Sequence, residues 1–178
     1  MSSKDLPQYK RNRKAALGVA LSGVIAALYV VLALPLSQFS FGPIQFRPSE
    51  VLSVLPAFTP YAIPGVVIGC FLSNLLNPGA LGPIDIIGGT LATLAAAFLT
   101  ALIGRKSKVM GIIPPILING IVVGGYLTFL LAGDGEVTVT AVVTNMISVG
   151  GSEALVLTVL GIPLIFLLKK TSFGDRFN

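Results

Sequence analysis

The chain has 178 residues, of which 54% are hydrophobic and only 11% charged, and its mean hydropathy is +0.91. Soluble domains carry about 25% charged residues, so an ordinary water-facing surface is excluded. With no His and a single Cys, there is no ligand set for a zinc or iron–sulfur site and no His-assisted nucleophile.

The net charge of +5 does not point to nucleic acid, because the basic residues flank apolar runs without interleaved aromatics. They read as determinants of membrane topology. Two uncharged runs, 15–46 (32 residues) and 51–84 (34 residues), are longer than a soluble core needs. An all-α integral membrane protein is the reading that remains.

Residues 1–14 hold five Lys/Arg and one Asp, a basic segment ahead of the apolar stretch Ala15–Leu36. That stretch is longer than the apolar region of a secretory signal and lacks a compelling processing site. It meets the roughly 20 helical residues a bilayer core requires, and is expected to be a transmembrane helix. Along it Ala16, Ala20, Gly23 and Ala27 recur at spacings of 4, 3 and 4, which puts them on one face. Small stripes of this kind admit close approach of another helix, either within the chain or in a partner.

The stretch 47–77 follows, interrupted by Pro56, Pro60 and Pro64. Its arms, roughly 48–59 and 64–77, are short for full spans. They form either two short tilted helices or a re-entrant pair packed inside protein, where irregular backbone is tolerated. Cys70 lies alone in the second arm and cannot form an internal disulfide. Asp85–Gly104, Val109–Ala132 and Thr140–Leu168 are each long enough to cross. Gly88, Ala92 and Ala96 make a second small stripe, best explained by packing within the chain. Thr171–Asn178 reads as a short solvated end.

Charge sets the expected orientation. Six crossings put the basic islands at 1–14, 105–108 and 169–176 on one face. The loops 37–46, 78–84 and 133–139 on the other contain no Lys or Arg. By the positive-inside rule both termini are cytoplasmic. The expected layout is a cytoplasmic basic segment (1–14), a six-transmembrane-helix bundle (15–168) and a cytoplasmic tail (169–178).

Apart from those islands and a fourth at Asp134 and Glu136, the only charged residues are Arg47, Glu50, Asp85 and Glu153. Glu50 starts the first short arm just after an outer loop, with Arg47 three residues earlier. Asp85 opens its helix after Gly82-Pro83. Glu153 is 16 residues before Lys169, about 24 Å above that end of its helix. All four are expected in the outer third of the membrane, together with Asn74, Asn145 and Tyr126, while Asn119 lies nearer the middle. Ionisable groups at such depth are costly and usually face a cavity or each other.

Each also has a plainer reading. Arg47 and Glu50 can simply pair or reach headgroups, and Asp85 can cap its helix. Glu153 can cap a restart after Gly150-Gly151-Ser152, and Asn74 and Asn119 can serve as interhelical glue. Against these stands the layer as a whole. Three carboxylates and one guanidinium sum to −2, which suits a ligand that is cationic or rich in hydrogen-bond donors.

With these residues laid out, the chain resembles a substrate-binding (S) component of an energy-coupling factor (ECF) transporter from about residue 12 to 170. The more specific signatures are Phe46-Arg47-Pro48-Ser49-Glu50-Val51-Leu52, Leu55-Pro56-Ala57-Phe58-Thr59-Pro60 and Ile63-Pro64-Gly65 with Gly69-Cys70. Asp85-Ile86-Ile87-Gly88-Gly89-Thr90-Leu91-Ala92-Thr93 and Gly151-Ser152-Glu153-Ala154 complete them. Together they resemble the QueT family, proposed carriers of queuosine precursors. The first-helix stripe departs from a strict Ala-x-x-x-Ala-x-x-x-Ala, since Val24 takes the third place.

The resemblance implies a deazapurine substrate such as 7-aminomethyl-7-deazaguanine or its nitrile precursor, bound from outside. It also implies partners, a transmembrane T component and two ATP-binding subunits, with docking through the first-helix stripe. A guanine-like edge presents a ring N–H and an exocyclic amine that one carboxylate can accept as a pair. The aminomethyl cation wants a second carboxylate. Glu153 is assigned to the edge and Asp85 or Glu50 to the amine. Arg47 either stacks on the base, anchors Glu50 or bonds the ring carbonyl.

The chain has no Gly-x-x-x-x-Gly-Lys-Ser/Thr loop, so ATP hydrolysis falls to partners, and no enzyme activity, cofactor or metal is expected. The competing readings are an S component for another vitamin or heterocycle, a carboxylate-dependent intramembrane enzyme acting on lipid, and a proton-coupled carrier acting alone with Glu153 as relay.

Overall fold

A computed structural model describes residues 8–35, 46–77, 81–133, 135–171 and 173–174. Most of the 37–46 loop, the start of the basic segment and the last residues of the tail therefore lie outside the described residues. Among the described residues the chain is helical, with no strand.

Helix α1 covers Gln8–Ala33, so part of the basic segment is already helical. A 3-10 helix, Pro48–Ala57, follows. Then come α2 (Ala62–Leu76), α3 (Pro83–Ile103), α4 (Met110–Ala132) and α5 (Val139–Lys170). Four of these, Asn12–Ala33 within α1 and all of α3, α4 and α5, are long and apolar enough to cross a membrane.

The 47–77 stretch is a helical hairpin with unequal arms. The first is a ten-residue 3-10 helix, opened by Pro48 and carrying Pro56 inside it. Runs of that length are uncommon. At about 2 Å rise per residue it reaches roughly 20 Å, where an α-helix of ten residues would reach about 15 Å. Nearly all of it is buried, so protein rather than lipid surrounds its weaker backbone geometry. The second arm, α2, is one-sided: Gly65, Gly69, Cys70, Ser73 and Asn74 face inward, while Ile68, Phe71 and Leu75 are exposed.

Glycines set the closest helix approaches. A Cβ at Gly69 would fall 2.5 Å from the Cβ of Tyr29, and one at Gly65 2.8 Å from that of Ile25. The α1–α2 contact therefore requires both to be glycine. In the same way Gly120 and Gly124 of α4 lie against Gly150 and Met146 of α5.

Two π-helical turns interrupt the ladders, at Asn119–Val123 in α4 and Leu157–Gly161 in α5. The second comes just before Pro163, which has no N–H to continue a regular ladder.

The bundle has two chemically distinct ends. At one, Val109, Leu168 and Phe173 join Ala57 and Phe58 in a single cluster, and Tyr61 packs against Gly18 of α1. The turn carrying Arg105, Lys106 and Lys108 thus shares an end with Lys169 and Lys170. At the other end lie the last turns of α1 and α2, the start of the 3-10 helix and the start of α3. Outward-facing residues such as Val19, Val31, Leu91, Phe98, Ile121 and Phe166 are exposed apolar groups, as lipid contact demands.

Candidate functional site

The four stray charges converge near the second end. Arg47 precedes the 3-10 helix, Glu50 is in its first turn, and Asp85 is in the first turn of α3. Glu153 projects from α5. All four are buried. The guanidinium of Arg47 interacts electrostatically with Asp85 and Glu50, and Glu153 with Glu50 and Arg47. One neighbourhood therefore holds three carboxylates and one fixed cation.

Their oxygens are not equally engaged. Glu50 accepts the Tyr29 hydroxyl on Oε1 at 2.5 Å and the Ser53 hydroxyl on Oε2 at 2.6 Å. Both oxygens are clamped, one from α1 and one from the next turn of its own helix. Asp85 accepts the Tyr126 hydroxyl on Oδ1 at 2.8 Å, while its Oδ2 is buried with no hydrogen-bond partner among the described residues. Oε1 of Glu153 is in the same condition, with Asn119 in hydrogen-bonding reach of the carboxylate.

Asn74 is fully buried. Its amide nitrogen donates to the Asp85 backbone carbonyl at 3.3 Å and to Cys70 Sγ at 3.7 Å. Its Oδ1 has no hydrogen-bond partner among the described residues. The site thus gathers three buried acceptor atoms that the described residues leave unsatisfied: Glu153 Oε1, Asp85 Oδ2 and Asn74 Oδ1. Each such orphan costs about 1–3 kcal/mol. Among the described residues no three His, Cys, Asp or Glu side chains are placed to share a metal ion.

Two of the plainer readings are not seen. The N-cap of α3 is Gly82, with no side-chain cap bond, and the Asp85 carboxylate points to Tyr126 instead. Glu153 caps no restart, because α5 runs helically through Gly150, Gly151 and Ser152.

Gly89 makes the Asn74–Asp85–Tyr126 meeting possible. A Cβ there would fall 2.9 Å from Asn74 Nδ2 and 3.3 Å from the Tyr126 hydroxyl. Gly88 likewise seats the Tyr126 ring. Asn145 stands apart, with its Nδ2 donating to Thr128 Oγ1 at 2.9 Å and so bridging α5 to α4.

Tyr29 and Ser53 were not singled out by sequence reasoning, and Gly89 entered only as part of a family signature. Tyr29 carried a usable signal. Ser22, Ile25 and Tyr29 share helical spacing on one face of α1, all are buried, and a buried tyrosine hydroxyl normally finds a partner. The small stripe occupies the other side. Ala16, Ala20, Gly23 and Ala27 are all exposed, and a Cβ at Gly23 would meet nothing within 4 Å.

Several long apolar helices with an apolar exterior define a multi-pass membrane protein, here with a buried, charged, acceptor-rich cluster near one end. Comparison with known proteins makes the class specific. The family model described as QueT transporter matches residues 19–170, and the chain belongs to that family, one of transporters and not of enzymes. A protein of Lactococcus lactis subsp. cremoris (strain MG1363), called queuosine precursor transporter QueT, is 43% identical over 87 residues, or 48% of this chain. The match spans half (50%) of that relative's length. No solved structure matches the chain.

Proposed function

We propose that the chain is the S component of an ECF-type importer that captures a queuosine precursor, with 7-aminomethyl-7-deazaguanine as the preferred substrate. The observation that carries this reading is the trio of unsatisfied buried acceptors beside a guanidinium. A donor-rich heterocycle is the ligand that would relieve all of them.

Glu153 accepts the ring N–H and exocyclic amine of the guanine-like edge as charge-assisted hydrogen bonds, about twice as strong as neutral ones. Asp85 Oδ2 and Asn74 Oδ1 accept from the aminomethyl cation. Arg47 donates to the ring carbonyl. Glu50, held by Tyr29 and Ser53, keeps Arg47 in place and offsets its charge. The nitrile precursor has no donor to offer Asp85 and binds less well.

Transport itself needs partners in this reading. The exposed Ala16/Ala20/Gly23/Ala27 face of α1 docks a transmembrane T component, and two ATP-binding subunits drive release on the cytoplasmic side. Both termini are cytoplasmic, and the charge cluster opens outward.

The test is uptake of labelled 7-aminomethyl-7-deazaguanine by cells expressing this chain with and without the partner subunits, alongside mass spectrometry of small molecules that co-purify in detergent. A co-purifying deazapurine and uptake only with the ATPase present are expected. Uptake without any ATPase would instead make the chain a carrier acting alone.

A further inference from the structure

The basic end of the bundle, opposite the charge cluster, has a cavity of its own. It has a volume of about 300 Å³ and opens beside the turn that joins the 3-10 helix to α2. Its walls include Phe58, Thr59, Pro60, Ala101, Arg105 and Lys108. Two cations thus border a pocket whose other walls are mostly apolar.

The cations are placed differently. Lys108 donates to the Ala57 carbonyl, at the C-terminal end of the 3-10 helix, and lies 5.2 Å from the centroid of the Phe58 ring. It therefore stands over the negative end of that helix and shields whatever enters from it. Arg105 is exposed, two residues past the end of α3. That places its guanidinium at the level where the apolar span gives way to headgroups. The Thr59 hydroxyl, also in the lining, makes no hydrogen bond among the described residues.

We propose that this cavity binds the phosphate of an anionic phospholipid headgroup. Arg105 and Lys108 hold the phosphate oxygens, Arg105 with its planar fork and Lys108 as a point charge. Phe58, Pro60 and Ala101 face the glycerol and first acyl carbons. Basic pockets between helices at the membrane surface recognise anionic lipid in this way. Because the 3-10 helix carries Glu50 in its first turn and Ala57 at its last, the headgroup braces the element that positions the opposite site.

The test uses the full chain in detergent after delipidation. Thermal unfolding is followed while phosphatidylglycerol, phosphatidylcholine or inorganic phosphate is titrated in. Phosphatidylglycerol is expected to stabilise the wild type, and phosphatidylcholine is not. Arg105→Gln should weaken the apparent affinity for phosphatidylglycerol about fivefold, the effect of about 1 kcal/mol per basic residue at such a surface. Ala101→Leu, which fills the cavity without changing charge, should weaken it as well. Lys106→Gln, an exposed change of the same charge in the same turn but outside the lining, should not.

Equal affinity in wild type, Arg105→Gln and Ala101→Leu would overturn the site. So would equal losses in Lys106→Gln and Arg105→Gln, which would mean a diffuse surface charge. Stabilisation by inorganic phosphate alone, lost in Arg105→Gln, would assign the cavity to a free phosphate and overturn the lipid.

Discussion

Tyr29 of α1 donates its hydroxyl to Glu50 of the 3-10 helix at 2.5 Å, and a glycine of α2 makes that meeting possible, since any side chain at Gly69 would strike the tyrosine. The bond ties the helix bearing the exposed small stripe to the carboxylate cluster. Tyr29→Phe keeps the ring and removes the donor, leaving a buried carboxylate oxygen unpaired at a cost of about 1–3 kcal/mol. Equilibrium unfolding in detergent should show that loss. Calorimetry should show a smaller loss of ligand affinity, because Glu50 acts through Arg47.

Gly89→Ala tests the other side of the cluster. Its new Cβ would press on Asn74 Nδ2 and the Tyr126 hydroxyl, moving both groups off Asp85. Affinity for 7-aminomethyl-7-deazaguanine is expected to fall about tenfold or more, the equivalent of about 1.4 kcal/mol. Gly23→Ala, where a Cβ meets nothing within 4 Å, should leave binding unchanged, and equal effects of the two would contradict the reading.

Asn145→Ala removes one side of the bridge to Thr128. The expected result is lower thermal stability by the worth of one interhelical hydrogen bond, about 0.6 kcal/mol in such bundles, with unchanged affinity per folded molecule. A selective loss of binding would move Asn145 into the site.

How far the sequence reached depended on what it encodes in one dimension. Helix length and apolarity marked all four long spans to within a few residues, except that α1 starts earlier, at Gln8. Depth along a helix is also one-dimensional, and depth arithmetic put Glu50, Asp85 and Glu153 in one layer. Azimuth is not recovered this way. Asn145 lies about 12 Å and 80° from Glu153 along α5, and the structure spends it on Thr128. The 3-10 geometry of Pro48–Ala57 and the two π turns leave no periodic trace, since burial and neighbours rather than local pattern select them. Tyr29 differs: its spacing with Ser22 and Ile25 marked a face of α1, but its partner Glu50 lies 21 residues away and is not set by local pattern.

Docking through α1 predicts that Ala20→Trp abolishes co-purification with a T component while substrate binding persists. The residue is exposed, as are Ala16, Gly23 and Ala27, and a Cβ at Gly23 would meet nothing within 4 Å. If complexes still form when both Ala16 and Ala20 are made bulky, another surface carries the contact.

The most direct test is calorimetry with 7-aminomethyl-7-deazaguanine on wild type and Glu153→Gln. The substitution keeps volume but replaces one acceptor oxygen with an N–H donor, which would then face a ligand N–H. An unpaired buried pair costs about 1–3 kcal/mol or more, so affinity should fall roughly tenfold to a hundredfold at equal folded fraction. Unchanged affinity in the folded variant would remove Glu153 from the site and contradict the donor-rich ligand it is proposed to hold.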